Sequence, residues 1–76
     1  MIDILFFGRV ADMQGKRRLA MAFPEDGLSL FELRVRLFDG ETDDRMRMSV
    51  NQAMVTADQP LHDGDEVAFF SIFSGG

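Results

Sequence analysis

Hydrophobic residues fall at every second position near both ends of this chain and at helical spacing in its middle. Ile2, Ile4 and Phe6 alternate with Asp3, Leu5 and Phe7. Successive side chains of a strand point to opposite faces, so Asp3 marks the solvated face and sends Ile2, Ile4 and Phe6 inward. Leu5 and Phe7 then share the outer face with Asp3. Behind the basic triplet Lys16-Arg17-Arg18, residues Leu19, Met21 and Phe23 alternate with Ala20 and Ala22. This predicts a second strand, paired with the first as an antiparallel hairpin. Residues 8–15, with Asp12 and Gln14 between two glycines, read as a loop that has room for a short turn at Val10-Ala11.

The middle of the chain changes period. Pro24-Glu25-Asp26-Gly27 has the composition of a turn. The following Leu28-Ser29-Leu30-Phe31-Glu32-Leu33 holds a capping box: the Ser29 hydroxyl accepts from the Glu32 amide while the Glu32 carboxylate reaches back to the Ser29 amide. Leu28 and Leu33 occupy the two positions of a hydrophobic staple. A helix is predicted from Leu30 to about Phe38, with Leu30, Leu33 and Leu37 as its apolar stripe and Gly40 as its stop. Phe31 and Phe38 widen that stripe, and Arg34 and Arg36 flank it. Glu41-Thr42-Asp43-Asp44 reads as a solvated acidic turn, because it lacks the glycine and the bidentate Glu of a calcium loop.

Met48-Ser49-Val50 and Ala53-Met54-Val55 read as short strands about a turn at Asn51-Gln52. An Asp63-Gly64 turn then delivers the chain into residues 66–73, which carry Val, Ile and three Phe among eight residues, a composition suited to a buried strand. Two strands, a helix and further strands in so short a chain have one compact solution: a mixed sheet with a helix across one face. The long crossover through the helix lets the last strand lie parallel to the first. The predicted class is therefore α+β, a β-grasp (ubiquitin-like) fold with one helix, formed by residues 1–73 and followed by a slim, flexible tail at 74–76.

Composition narrows the chemistry. With 76 residues the chain is one domain, and 46% hydrophobic content including eight Phe supplies its core. No cysteine is present, which excludes a disulfide, a thiolate metal site and a thiol nucleophile. No apolar run approaches the roughly 20 residues of a membrane span, and Met1-Ile2-Asp3 does not open a signal peptide, so the expected compartment is the cytoplasm. A net charge of −5 disfavours nucleic acid and anionic membranes as partners and fits a protein partner carrying positive charge. His62, the sole histidine, lies in a polar turn beside Asp63 and reads as a surface residue. Asp63, Asp65 and Glu66 are accounted for by the same turn, Ser71 and Ser74 have no base near them in sequence, and Lys16-Arg17-Arg18 reads as a solvated edge. No metal site is expected.

Ser74-Gly75-Gly76 remains, and two readings of it stand. One is a frayed end. The other is a segment narrow enough for a channel that excludes side chains, with the α-carboxylate of Gly76 as its only chemical handle.

Val50-Asn51-Gln52-Ala53-Met54-Val55, then Pro60-Leu61-His62-Asp63-Gly64-Asp65-Glu66-Val67-Ala68-Phe69-Phe70, then Ser74-Gly75-Gly76, resemble the small subunits of molybdopterin synthases, the MoaD family. Ile4-Leu5-Phe6-Phe7-Gly8-Arg9-Val10-Ala11-Asp12, with Gly15 shortly after, resembles that family's first strand and loop. The resemblance covers both ends and about half the chain. It departs where the family often has two prolines after the Phe pair, here Ser71-Ile72, and in the stretch 39–47, which is shorter than the family's usual helical region.

The resemblance implies a sulfur carrier that is no enzyme on its own. An E1-like, MoeB-like enzyme adenylates the Gly76 carboxylate with ATP, and a sulfurtransferase replaces the activated oxygen by sulfur. The thiocarboxylate tail, with Gly75 and Ser74, then enters the large, MoaE-like synthase subunit in a heterotetramer. That subunit brings the catalytic residues, and sulfur passes to a cyclic pyranopterin precursor to build the dithiolene of molybdopterin. No cofactor is expected on the chain itself. The residues agree with this logic, since a chain without cysteine cannot carry a persulfide. Alternatives stay open: the thiazole-pathway carrier ThiS, which shares the fold and terminal Gly-Gly, a ubiquitin-like modifier joined to lysines, and an interaction domain with an incidental tail. Phe6-Phe7-Gly8 and Phe69-Phe70 favour the molybdenum branch. With Val67 and Phe69 under the helix, Phe70 joins Leu5 and Phe7 on the outer face, so these three are expected to form an exposed partner-binding patch.

Overall fold

A computed structural model of the protein describes residues 1–39 and 45–71. The elements run β1 (Ile2–Phe6), α1 (Gly8–Gln14), β2 (Arg18–Met21), α2 (Leu30–Phe38), β3 (Met46–Val50), β4 (Ala53–Val55) and β5 (Glu66–Ser71). The strands form one sheet in the order β2-β1-β5-β3-β4. β1 and β5 pair in parallel at its centre, and every other pairing is antiparallel. This is the β-grasp arrangement expected from the pattern, with one more helix than expected. No helix among the described residues is long and apolar enough to cross a membrane.

The register assembles the inner face row by row. Leu19 lies beside Ile4, Ile4 beside Val67 and Val67 beside Val50. The next row runs Phe6, Phe69, Met48, Val55. Ile2, Ile4, Val67 and Phe69 have no solvent exposure and Phe6 almost none, as the parity of the first and last strands requires. α2 covers this face with buried Leu30, Leu33 and Phe38. The Phe38 ring meets Phe69 edge-on at 5.2 Å and Phe6 at 6.3 Å, while Phe6 and Phe69 stack at 6.1 Å. Such offset and edge-to-face pairs add about 0.5–1.5 kcal/mol each beyond the area they bury.

The start of α2 follows the sequence closely. The Ser29 hydroxyl accepts from the Glu32 amide at 3.2 Å, and the Glu32 carboxylate accepts from the Ser29 amide at 2.9 Å. Leu28 and Leu33, the staple pair, are both buried. The two remaining early amides are also used, Leu30 on the Gln59 carbonyl and Phe31 on the Asp58 carboxylate. Leu37 is half-buried, so Phe38 takes the deeper place in the core. Asp39 occupies the left-handed C-cap at φ 51°, donating to the Val35 carbonyl at 2.8 Å. The stop expected at Gly40 lies outside the described residues, as does the acidic turn at 41–44.

Residues 8–15 correct the sequence reading: they form α1 and its cap rather than a loop. Phe7 stands at the N-cap without a side-chain cap, and Val10 is the only buried residue of the helix. Seven residues with one deep anchor show too little period to be recognised, and the usual polar N-cap is missing. The closing signal was present, however. Gly15 takes φ 70° and donates to the Ala11 carbonyl at 2.9 Å, the left-handed conformation that glycine adopts without strain. The Gln14 side-chain amide donates to the Leu37 carbonyl at 3.0 Å and ties the ends of the two helices together.

Two stability outcomes follow from this core. Replacing Ser29 by Ala removes an N-cap and should cost about 1 kcal/mol in denaturant unfolding. Replacing Phe38 by Ala should cost about 3–5 kcal/mol, because it opens a cavity against the stacked Phe6 and Phe69 rings. Equal losses in the two variants would show that the ring cluster is not what holds α2 to the sheet.

Candidate docking site

The second face of the sheet carries the residues singled out in the sequence. Leu5 lies in register with Arg18 on one side and Ala68 on the other, Ala68 with Ser49, and Phe70 with Arg47. The Phe7 amide donates to the Phe69 carbonyl at 3.1 Å, which continues the parallel ladder one residue past β1 and sets Phe7 level with Phe70. Phe7 is 52% exposed, and Leu5 and Phe70 are half-buried. Ala68 is buried although it faces outward, because its short side chain lies among larger neighbours. Leu5, Phe7 and Phe70 therefore share one outer surface, with Phe7 its most prominent member.

α1 adds a feature that the sequence reading did not contain. A concavity of about 580 Å³ lies beside this surface, lined by Leu5, Phe7, Ala11, Asp12, Arg17 and Arg18 among others. The Arg18 guanidinium donates to the Asp3 carboxylate at 3.0 Å, an exposed pair that contributes little to stability. The Arg17 carbonyl accepts from the Phe6 amide at 2.9 Å, which fixes the backbone at the rim. Lys16, Arg17 and Arg18 are all exposed, as a solvated edge should be. Their position against Leu5 and Phe7 depends on α1 turning the chain, so only an assignment of that helix from Gly15 would have revealed it.

Elsewhere the polar groups are engaged structurally. A concavity of about 570 Å³ at the start of α2 is lined by Ser29, Glu32 and Asp58, whose oxygens already accept backbone amides. His62 is exposed, and its backbone amide donates to Asp65 at 2.8 Å. The other Asp65 oxygen accepts from Asn51 at 3.0 Å, and Asn51 in turn accepts from the Glu66 amide at 2.9 Å. This joins the β3–β4 turn to the turn that leads into β5, a linkage not apparent from the sequence. Among the described residues no group of His, Asp and Glu could hold a metal ion. Ser74, Gly75 and Gly76 lie outside the described residues. β5 ends at Ser71, at the same end of the sheet as Phe7 and Phe70. The described surface thus presents apolar side chains beside the point at which β5 ends.

Comparison with known proteins then places the chain. A family model described as the ThiS family matches residues 4–76. The chain belongs to the ThiS family. Within the wider set of relatives, it is 35% identical to the molybdopterin synthase sulfur carrier subunit of Escherichia coli strain K12, over an 85-residue alignment covering the whole of both chains. Two solved structures share the fold: SAMP1 from Haloferax volcanii, with a TM-score of 0.79, 20% identity and coverage of 99% of this chain and 98% of that one, and H. volcanii small archaeal modifier protein 1, with a TM-score of 0.74, 18% identity and coverage of 92% and 94%. The ThiS-family assignment therefore holds for almost the whole chain, including the middle, where the sequence motifs were weakest.

Phe7 and Phe69, neighbours across the ladder, separate the exposed outer surface from the core. Phe7→Ala should change stability by no more than about 0.5 kcal/mol, as expected for an exposed side chain. Phe69→Ala should cost about 3–5 kcal/mol. Thermal unfolding of the two variants checks this, and a Phe7→Ala loss as large as that of Phe69→Ala would mean that Phe7 belongs to the core.

Proposed function

We propose that this protein is the sulfur-carrying small subunit of a molybdopterin synthase, bearing sulfur as a thiocarboxylate on Gly76. The observation that carries the reading is the full-length, 35% identical relationship to a sulfur carrier subunit of that enzyme. The family match reaching residue 76 supports placing the reactive group at the closing Gly-Gly. Residue chemistry points the same way. The chain has no cysteine on which to hold sulfur, so its terminal carboxylate is the group left to do so.

A carboxylate resists attack until one oxygen is made a leaving group. An E1-like enzyme supplies this by transferring AMP from ATP to Gly76 and releasing pyrophosphate. The outer sulfur of a sulfurtransferase persulfide then displaces AMP to give an acyl disulfide. A thiol of the activating machinery cleaves its S–S bond, releasing the thiocarboxylate and forming a new disulfide. The protein holds no cofactor through these steps, and ATP belongs to the activating enzyme. Gly75 and Ser74 lead the thiocarboxylate into the large subunit, where sulfur passes to the cyclic pyranopterin precursor. Leu5, Phe7 and Phe70 form the surface against which that subunit docks, and the assembly is a cytoplasmic heterotetramer. Clustered aromatic residues on a free surface are the usual anchors of such contacts.

The tail separates this function from stability. Deleting Gly76 draws the carboxylate back by about 3.5 Å of extended chain. Displacement by about 1 Å can already cost 10²-fold in a positioned reaction. Gly75→Val adds a branched side chain where only backbone is admitted. Both variants should melt like the parent, still bind the large subunit, and yield almost no molybdopterin, with synthetic thiocarboxylate as well as after enzymatic activation. Full product formation by the Gly76 deletion would overturn the sulfur-carrier reading.

A further inference from the structure

Resting on the sulfur-carrier reading, we propose that the concavity beside Leu5 and Phe7 seats an apolar side chain of the large synthase subunit with a carboxylate next to it, held by Arg17 and Arg18. Leu5, Phe7 and Ala11 give the concavity apolar walls. Its charged lining residues are Arg17, Arg18 and Asp12, and Asp3 pairs with Arg18 from the neighbouring strand. Lys16 adds a third cation in the adjoining recess, which Arg17 and Asp12 also line. Lys16, Arg17 and Arg18 thus stand against Asp3 and Asp12, which leaves a locally positive site on a chain whose net charge is −5. Complementarity therefore selects an anionic group on the partner.

The guanidiniums are able to receive it. Arg18 donates one hydrogen bond to Asp3 and has five N–H groups in its fork, and both arginines are exposed. Arg17 is held at the rim by the bond from the Phe6 amide to its carbonyl. Position selects the partner. Phe7 stands level with Phe70, one residue before the last described residue of β5, so a protein that takes up the tail also lies against the mouth of the concavity. An apolar anchor flanked by an acidic residue fits both its walls and its rim.

The test is binding of the full-length protein to the purified large synthase subunit of the same organism, measured by calorimetry and by association kinetics at low and high salt. Reversing both charges (Arg17→Glu with Arg18→Glu) should weaken binding roughly tenfold or more at low salt, mainly through a slower on-rate. The gap should narrow as salt rises, since the partners are exposed charges. The neutral pair Arg17→Gln and Arg18→Gln should fall between, and Arg36→Glu on α2 should bind like the parent. Melting curves establish that each variant is folded. Parent-like binding by the doubly reversed variant at low salt overturns this proposal while leaving the sulfur-carrier reading intact. A parent protein that does not bind the large subunit at all overturns both.

Discussion

The parallel pairing of β1 with β5 is the constraint on which the rest of the molecule depends. It brings Ile4 beside Val67 and Phe6 beside Phe69, and these residues form the floor on which α2 packs. Parallel neighbours cannot be joined by a tight turn, so the chain must leave the sheet and return. α2 and the β3–β4 hairpin occupy that return. The same pairing sets Phe7 level with Phe70 and brings the start of α1 to the end of β5. One ladder thus fixes both the buried face and the geometry of the exposed one.

Side-chain alternation divides the work between those faces. On β5, Val67 and Phe69 serve the core while Phe70 faces outward, and β1 divides Ile2, Ile4 and Phe6 from Leu5 in the same way. A slip of one residue in either strand would exchange the two sets. The strong burial demand of the inner face therefore keeps the outer residues in place. Hydrophobicity on the outer surface is maintained by the register of the core and needs no packing of its own.

Most of the architecture was legible from residue order. Parity gave the inward and outward sets of β1 and β5, the capping box gave the start of α2, and Asn51-Gln52 marked the hairpin between β3 and β4, where both residues adopt positive φ. These signals are local or have a fixed period. α1 was hidden because a seven-residue helix with a single buried residue presents almost no period. With it went the concavity at Arg17 and Arg18, which exists only once α1 is folded against β1. The joining of Asn51 to Asp65 was hidden for another reason, since two turns far apart in sequence meet only when β5 is inserted beside β3. For the candidate site, shared parity placed Leu5, Phe7 and Phe70 together, while Ser74, Gly75 and Gly76 lie outside the described residues.

The position of β5 at the sheet centre also has a consequence during synthesis on the ribosome. Until residues 66–71 have emerged, β1 has only β2 beside it, β3 has only β4, and the ring of Phe38 lacks Phe69 beneath it. Loop closure across nearly the whole chain must come before the contacts that reward it. The nascent chain therefore exposes its apolar residues until β5 has emerged and taken its place between β1 and β3. A chain interrupted before β5 has no strand to join the β1–β2 pair to the β3–β4 pair, so its apolar faces stay open to proteases and to other unfolded chains.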